Sequence, residues 1–284
     1  MDDFSFIIFL ILIYLVLEKI TFTSENFKPQ NRAFLYGDAV KASFFVRNSQ
    51  LIMAEESYFF LMASMRKMRM NIPLSFTLDF FEELFVANVI NKGVTNGIIQ
   101  ILMYRNLGED FLQKADISFY AEVDEHKDVL AIQGNYEMDL MKEINVNTNL
   151  LSNIRVHFPE NTYAEIYAKE NDLDDVILLN PNKRIARSIS GNLLFLEGNT
   201  IKIPKQSEGA YISPLMENFV TFIHKNKLAE IQEAEMIAFE SQKAEEVLVI
   251  SDEKGIFAVS KIRNKTFGKS RFEEMVNQWK THFQ

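Results

Sequence analysis

The run from Asn182 to Asn199, NKRIARSISGNLLFLEGN, restricts the fold of this chain more than any other. Two short apolar stretches flank a turn of small residues around Gly191, so the segment reads as a strand, a tight turn and a second strand. A hairpin of this kind can cradle a ligand through its backbone. Arg187 stands in its middle, next to Ser188 and Ser190, and its chemistry there bears on whether the chain is an enzyme.

The rest of the chain mixes strand and helix patterns. Tyr14–Ile20, Val40–Arg47, Gly97–Asn106 and Asp116–Glu125 read as strands, with Gly108–Ala115 as a loop or short turn. Ala54–Pro73 reads as a helix, with Glu55 and Glu56 in its first turn and Arg66, Lys67 and Arg69 in its last, as the helix dipole favours. Its Met62, Met65 and Met68 stripe reads as core filler. Thr77–Asn91 opens on a Thr/Asp helix start. The polar stretch Asn135–Asn149 is a candidate connection between domains. Beyond it come a helix at Asn161–Glu170, a strand at Asp174–Asn180 and the opening hairpin. Helical segments follow at Ser213–Asn226 and Leu228–Ser241, then a hairpin of Glu245–Ser251 and Ile256–Ile262, and a last helix at Arg271–His282. The class is α+β or α/β, in two domains split near residues 125–135.

With 284 residues, 48% of them hydrophobic, the chain can bury a sizeable core. A net charge of −9 with acids and bases interspersed argues against a nucleic-acid partner. The absence of cysteine excludes disulfides, thiolate nucleophiles, iron–sulfur clusters and cysteine zinc sites, and is compatible with a cytoplasmic location. FSFIIFLILIYLVL, Phe4 to Leu17, is too short for a spanning helix, which needs about 20 residues. Asp2 and Asp3 precede it and no small-residue cleavage site follows. Residues 1–13 thus read as an extra apolar segment: a buried strand, a short membrane anchor, or sequence upstream of the true start. A membrane partner is not expected.

No GxGxxG, GxxxxGK[ST], HExxH or GxSxG pattern occurs. The 4 histidines are far apart in sequence. DLDD at Asp172–Asp175 is read as a polar loop, since metal loops carry their ligands at alternating positions. No metal site is expected.

RAFLYGDA (Arg32–Ala39), a strand, and then EES…LMAS…NIP resemble the N-terminal half of the fold type IV pyridoxal-phosphate enzymes. MYRN at Met103–Asn106 is similar to the family's strand ending in Arg-Gly. The segment YAKENDLDDVILLNPNKRIARSISGNLLFLEGNTIKIP resembles its helix, strand and cofactor hairpin. SEGAYISPLMEN is similar to the loop into the next helix, and AEEVLVISDEKGIFAV to the closing hairpin. The family contains branched-chain aminotransferases, D-amino acid aminotransferases and aminodeoxychorismate lyases. The resemblance implies a small N-terminal α/β domain, residues 14–125, a larger C-terminal pseudo-barrel domain, residues 126–284, and a homodimer. Fold alone does not imply function.

Family chemistry requires a Schiff-base lysine, an acid on the pyridine nitrogen, and an arginine and a threonine with backbone N–H groups on the phosphate. The resemblance puts the lysine at Ile154 or, one residue on, at Arg155, and arginine is no imine-forming amine. The ring acid falls at Arg187. Two like charges about 4 Å apart repel by roughly 4 kcal/mol at an effective dielectric near 20, so an arginine there opposes a pyridinium. The phosphate arginine falls at Phe60, the turn threonine at Leu215, and the second hydroxyl near Ile250, with Ser251 adjacent. Arg105 keeps the position of a substrate-carboxylate arginine, and Gly37, Asp38 and Asn192 are kept as fold-shaping residues.

The expected protein is therefore a non-catalytic homologue with no pyridoxal phosphate, in a structural or small-ligand-binding role. An active aminotransferase or aminodeoxychorismate lyase with its site residues misplaced is the alternative. A cofactor-free protein that holds a small anion on Arg105 and Arg187 is a third reading. The expected assembly is a homodimer, on the strength of the apolar N-terminus and the aromatic and methionine-rich Tyr58–Met70 segment.

Overall fold

The computed structural model describes residues 19–107 and 115–283. The expectations for residues 1–13, most of Tyr14–Ile20, and the loop up to residue 114 lie outside them.

The first part of the chain runs β1 (Thr21–Thr23), α1 (Arg32–Tyr36), β2 (Ala39–Arg47), β3 (Gln50–Ile52), α2 (Ala54–Lys67), α3 (Leu78–Asn88), β4 (Gly97–Arg105) and β5 (Ile117–Glu125). Its strands form an antiparallel sheet in the order β1-β5-β4-β2-β3. Asn31 caps α1 by accepting the Phe34 N–H, and Gly37 ends it at φ 65°, a left-handed conformation that glycine adopts without steric cost. Helix α2 stops at Lys67, short of the expected Pro73. Arg69 takes φ 54° there, and the Met70 N–H donates back to the Met65 carbonyl. Helices α2 and α3 cover one sheet face. Phe44, Phe81 and Phe85 pack there with Leu61, Met62 and Met65. The methionine stripe is thus largely core. Of Tyr58–Met70, Phe59 is the large apolar side chain left well exposed, at 57%.

The second part runs β6 (Ile132–Asn145), α4 (Pro159–Glu170), β7 (Asp175–Leu179), β8 (Ile185–Ser188), β9 (Asn192–Glu197), β10 (Thr200–Pro204), α5 (Pro214–Lys225), β11 (Glu230–Ala234), β12 (Glu246–Ser251), β13 (Gly255–Ile262), β14 (Lys265–Thr266) and α6 (Ser270–Lys280). The strands follow the order β11-β10-β9-β12-β13-β6-β7-β8, with β14 on β13. Two expectations fail here. Asn135–Asn149 is no linker: most of it is β6, paired in parallel with both β13 and β7. Tyr136, Met138 and Leu140 point inward at every second position, and the intervening Glu137 and Asp139 masked the period. Leu228–Ser241 is not a helix either. It gives the edge strand β11, parallel to β10, and a short 3-10 turn at Ala238–Gln242.

The two parts share a core. Phe45, Ile52 and Ile98 from the first sheet, and Met53 just before α2, pack with Leu194, Leu248, Phe219 and Trp279 from the second part. Arg47 crosses the junction, pairing with Asp128 at 3.1 Å and donating to the carbonyls of Lys280 and Phe283.

Candidate functional site

The site grows from the turn at Ser188–Gly191. Asp175, at the start of β7, is buried and accepts hydrogen bonds from the Ile189 N–H at 2.9 Å, the Ser190 N–H at 3.3 Å, and the Ser190 Oγ at 2.6 Å. A buried carboxylate satisfied by several donors holds such a turn rigid. Gly191 is required by contact: a Cβ there would lie 2.2 Å from the Ile250 carbonyl oxygen. Strand β9 therefore approaches β12 closely, and the Ser190 carbonyl accepts from Arg155 Nη2 at 2.8 Å and from Ser251 Oγ at 2.6 Å.

Two buried guanidinium groups meet beside this turn. Arg155 precedes α4, and its backbone carbonyl accepts the Lys41 N–H at 2.8 Å. Its Cζ lies 3.6 Å from the centroid of the Tyr211 ring, and Nη1 is 3.9 Å from Glu253 Oε1. Burial opposes its charge, but Glu253 foremost, with Tyr211 and Asp252, holds Arg155 above the ordinary arginine value. Arg187 is 1% exposed, with Cζ 4.2 Å from the same centroid and 5.6 Å from that of Phe158. Its Nη1 donates to Asn161 Oδ1 at 3.0 Å and to the Ser188 carbonyl at 3.3 Å. Burial and, next among the lowering causes, the Arg155 charge pull Arg187 below the usual arginine value. Guanidinium–ring contacts of this kind are attractive, more so when desolvated.

Tyr211 is itself fixed from three sides. Its N–H and C=O pair with the Asn192 side chain, each at 2.9 Å, and its hydroxyl accepts from Asn161 Nδ2 at 2.9 Å.

The N-terminus of α5 carries an anion supplied by the chain. Asp252 Oδ1 accepts the Ser213 hydroxyl at 2.7 Å and the Leu215 N–H at 3.2 Å, and Ser213 in turn caps the Met216 N–H. Helix N-termini favour negative charge at this place. Burial pushes the Asp252 carboxyl up to about 6, against the opposing pull of Arg155, Ser213 and Leu215.

A cavity of about 360 Å³ opens in front of Arg155, with Lys41, Phe158, Asn161, Tyr211 and Glu253 on its walls. Glu253 bridges the cations, 3.3 Å from Lys41 Nζ and 3.9 Å from Arg155. Burial alone would raise its pKa, but Arg155 and then Lys41 hold it below the usual carboxylate range.

The structure sorts the residues singled out from the sequence. Of the two candidates for the lysine position, Ile154 is buried in the first core and Arg155 faces the cavity. Phe60 belongs to that same core. Leu215 contributes only its backbone N–H, and its side chain is core. Ile250 is core too, and Ser251 serves the Ser190 carbonyl. The residue that stands over the α5 N-terminus is Asp252, next to Ser251 and two places from Ile250. Arg105 and Arg187 do not form an anion pair. Arg105 is held by Asp38 and the Met68 carbonyl, Arg32 binds Asp38 at 2.7 Å, and neither Arg105 nor Arg187 lines the cavity. Tyr211, Lys41 and Glu253 were not singled out. The signal for Glu253 was its place beside Asp252 in the closing hairpin, read only as a turn. DLDD contributes Asp175 to the turn and Asp174 Oδ2 as acceptor for the Glu137 N–H.

Among the described residues no helix is long and apolar enough to cross a membrane. The model of the amino-transferase class IV family matches residues 46–262. A search of curated proteins finds no match. Among solved structures, the branched-chain aminotransferase of Thermoproteus uzoniensis with norvaline superposes with a TM-score of 0.80, at 13% identity, over 93% of this chain and 94% of that one. The branched-chain amino acid aminotransferase of Escherichia coli gives a TM-score of 0.79 at 13% identity, over 93% of each chain. The branched-chain amino acid aminotransferase of Thermobaculum terrenum, in its PLP-bound holo-form, gives 0.78 at 15% identity, over 91% of this chain and 89% of that one. At these identities the structures establish a common fold, the fold type IV architecture of pyridoxal-phosphate enzymes. With a family model spanning most of its length, the chain belongs to the class IV aminotransferases.

Proposed function

We propose that this class IV family member holds no pyridoxal phosphate and catalyses no transamination, and that it acts as a ligand-binding homodimer. One observation carries the reading. Arg155, one of the two candidates for the family's lysine position, and Arg187, the candidate for its ring-acid position, both pack on the Tyr211 ring, and the α5 N-terminus already holds the Asp252 carboxylate. The group and the residues do not fit. Arg155 offers no amine for an imine. Arg187 would face the pyridinium with like charge. A phosphate at α5 would meet Asp252 in place of a cation, and desolvating an unmatched dianion costs several kcal/mol. The phenol ring of Tyr211 occupies the space against both guanidinium groups.

The test is incubation with excess pyridoxal phosphate, borohydride reduction, and peptide mass spectrometry. No visible absorbance above free cofactor and no pyridoxyl-lysine in the cavity are expected. A second reading, an active aminotransferase or lyase, is favoured by one contact: Lys41 lines the cavity and its Nζ pairs with Glu253. A stoichiometric pyridoxyl adduct confined to the Lys41 peptide, with turnover of an amino acid, would establish that reading and overturn ours.

A further inference from the structure

A groove of about 550 Å³ runs between α2 and α5 and shares no lining residue with the cavity in front of Arg155. Its volume falls within the range of small-ligand sites, about 300–1,000 Å³. Phe59, Phe60 and Ala63 form its α2 wall, and Ile154 and Ile212 close its floor. Glu217 and Asn218 stand on the α5 wall. Asn218 donates to Glu56 Oε1 at 3.1 Å and accepts from Trp279 Nε1 at 2.9 Å, so the two helices are tied together and the groove keeps its shape. Glu56 lies one turn before Phe59, and Asn218 follows Glu217. The same tie therefore brings the Phe59 ring and the Glu217 carboxylate to one stretch of the groove. Both are unmatched there. Phe59 is exposed. Glu217 forms no ion pair among the described residues; burial and then Glu233 on β11 hold its carboxyl above the ordinary value, and no cation offsets them. Lys225, on the same wall, stands about 12 Å further along α5, and Lys67 is in the last turn of α2. Ser64 also lines the groove; it is fully buried, and its hydroxyl has no hydrogen-bond partner. Buried polar groups are ordinarily partnered.

We propose that the groove between α2 and α5 binds an organic cation with an apolar body, its charge at Glu217 beside the Phe59 ring and its body on Phe60, Ile154 and Ile212. The cation supplies the opposite charge that Glu217 lacks, and the face of an aromatic ring attracts it as well. Where the cation is an amine, its N–H groups find an acceptor in the Ser64 hydroxyl. An anion would meet two carboxylates at this stretch, Glu217 and Glu56. A neutral ligand of the same shape would leave Glu217 as it is. The inference does not depend on whether the cavity in front of Arg155 holds a cofactor.

The probes are 2-phenylethylamine and benzyltrimethylammonium, with 2-phenylethanol as the uncharged counterpart and 3-phenylpropanoate as the anionic one. Each is titrated calorimetrically and by thermal unfolding into the full-length protein. At least one cation should bind at a single site and raise the melting temperature with concentration. The alcohol should bind about fivefold more weakly, the order of one partly exposed charge contact, and the acid not at all. Glu217→Gln should weaken the cation about fivefold and leave the alcohol unchanged. Ala63→Trp fills the groove from an exposed position and should abolish binding of both. Equal binding of cation and alcohol, no binding of either cation at millimolar concentration, or unchanged cation affinity in Glu217→Gln or Ala63→Trp would overturn the proposal. Such a failure leaves the cofactor-free reading standing, because the borohydride test reads the cavity separately.

Discussion

Arg155 and Arg187 share the ring of Tyr211, their Cζ atoms 3.6 Å and 4.2 Å from its centroid. Tyr211 thus separates two buried like charges by an aromatic surface that attracts each. Tyr211→Phe keeps the ring but removes the hydroxyl, with its Asn161 contact and its interaction with Arg155, and should cost about 1 kcal/mol. Tyr211→Leu also removes the ring and should cost about 3 kcal/mol or more. Chemical denaturation of the three proteins measures both steps; equal losses in the two variants would show that the ring contributes nothing of its own.

Asp252 makes stability depend on pH. Its folded pKa, about 6, lies above the ordinary 3.8, so the folded state holds the proton more tightly. Its contribution is fully present below pH 4 and is lost as pH rises through 6. The full effect is roughly 3 kcal/mol. Asp252→Asn keeps an acceptor for Ser213 and Leu215 but cannot ionise. Its stability should be flatter between pH 4 and 7, and at pH 7 the variant should equal or exceed the natural protein. Parallel pH profiles in urea melts would count against this.

Gly191→Ala places a methyl group against the Ile250 carbonyl, where an ideal Cβ would lie 2.2 Å from the oxygen. Strands β9 and β12 must then part. A loss of about 1–3 kcal/mol is expected, or failure to accumulate as folded protein. A melting temperature within a degree or so of the parent would show that the turn yields.

Arg187→Met exchanges an ion without a paired carboxylate for an apolar chain of similar length. Replacing buried charge by packed hydrophobic volume is often neutral or stabilising. Arg187→Met should therefore match or exceed the parent in stability, and Arg187→Ala should lose about 2 kcal/mol or more through the space it leaves. The opposite order would mean that the guanidinium is compensated by groups beyond Asn161 and Ser188.

Assembly is tested by sedimentation. Phe34 and Tyr36 of α1 are 76% and 60% exposed, and Phe59 adds to the apolar surface. A dimer is expected at micromolar concentration; a species of only 33.0 kDa would rule it out.

Much of the fold was legible because its punctuation is local. Thr77 and Ser213 cap helices through their own side chains, and Gly191 marks the hairpin by a contact only glycine allows. β6 was illegible because charged residues occupy its outward positions and resemble a linker. Helix α2 ends earlier than its sequence pattern, because nothing local announces the left-handed Arg69. In the site, Arg155 and Arg187 were visible as substitutions at expected positions. Tyr211 and Asp252 were not, since each acts through a partner far along the chain: Asn161 is 50 residues from Tyr211, and Ser213 is 39 from Asp252.

The backbone bond from the Lys41 N–H to the Arg155 carbonyl stitches the first sheet to the segment ahead of α4, directly at the cavity. Together with Arg47 at the far junction, it makes the mouth of the cavity a fixed frame. Hinge opening of two bodies, a microsecond-to-millisecond event, would have to break main-chain pairing here. Passage in and out then depends on rotamer changes of Lys41 and Glu253 at the rim, which are faster by orders of magnitude. Association rates should accordingly rise in proportion to ligand concentration, with no plateau set by a slow gating step.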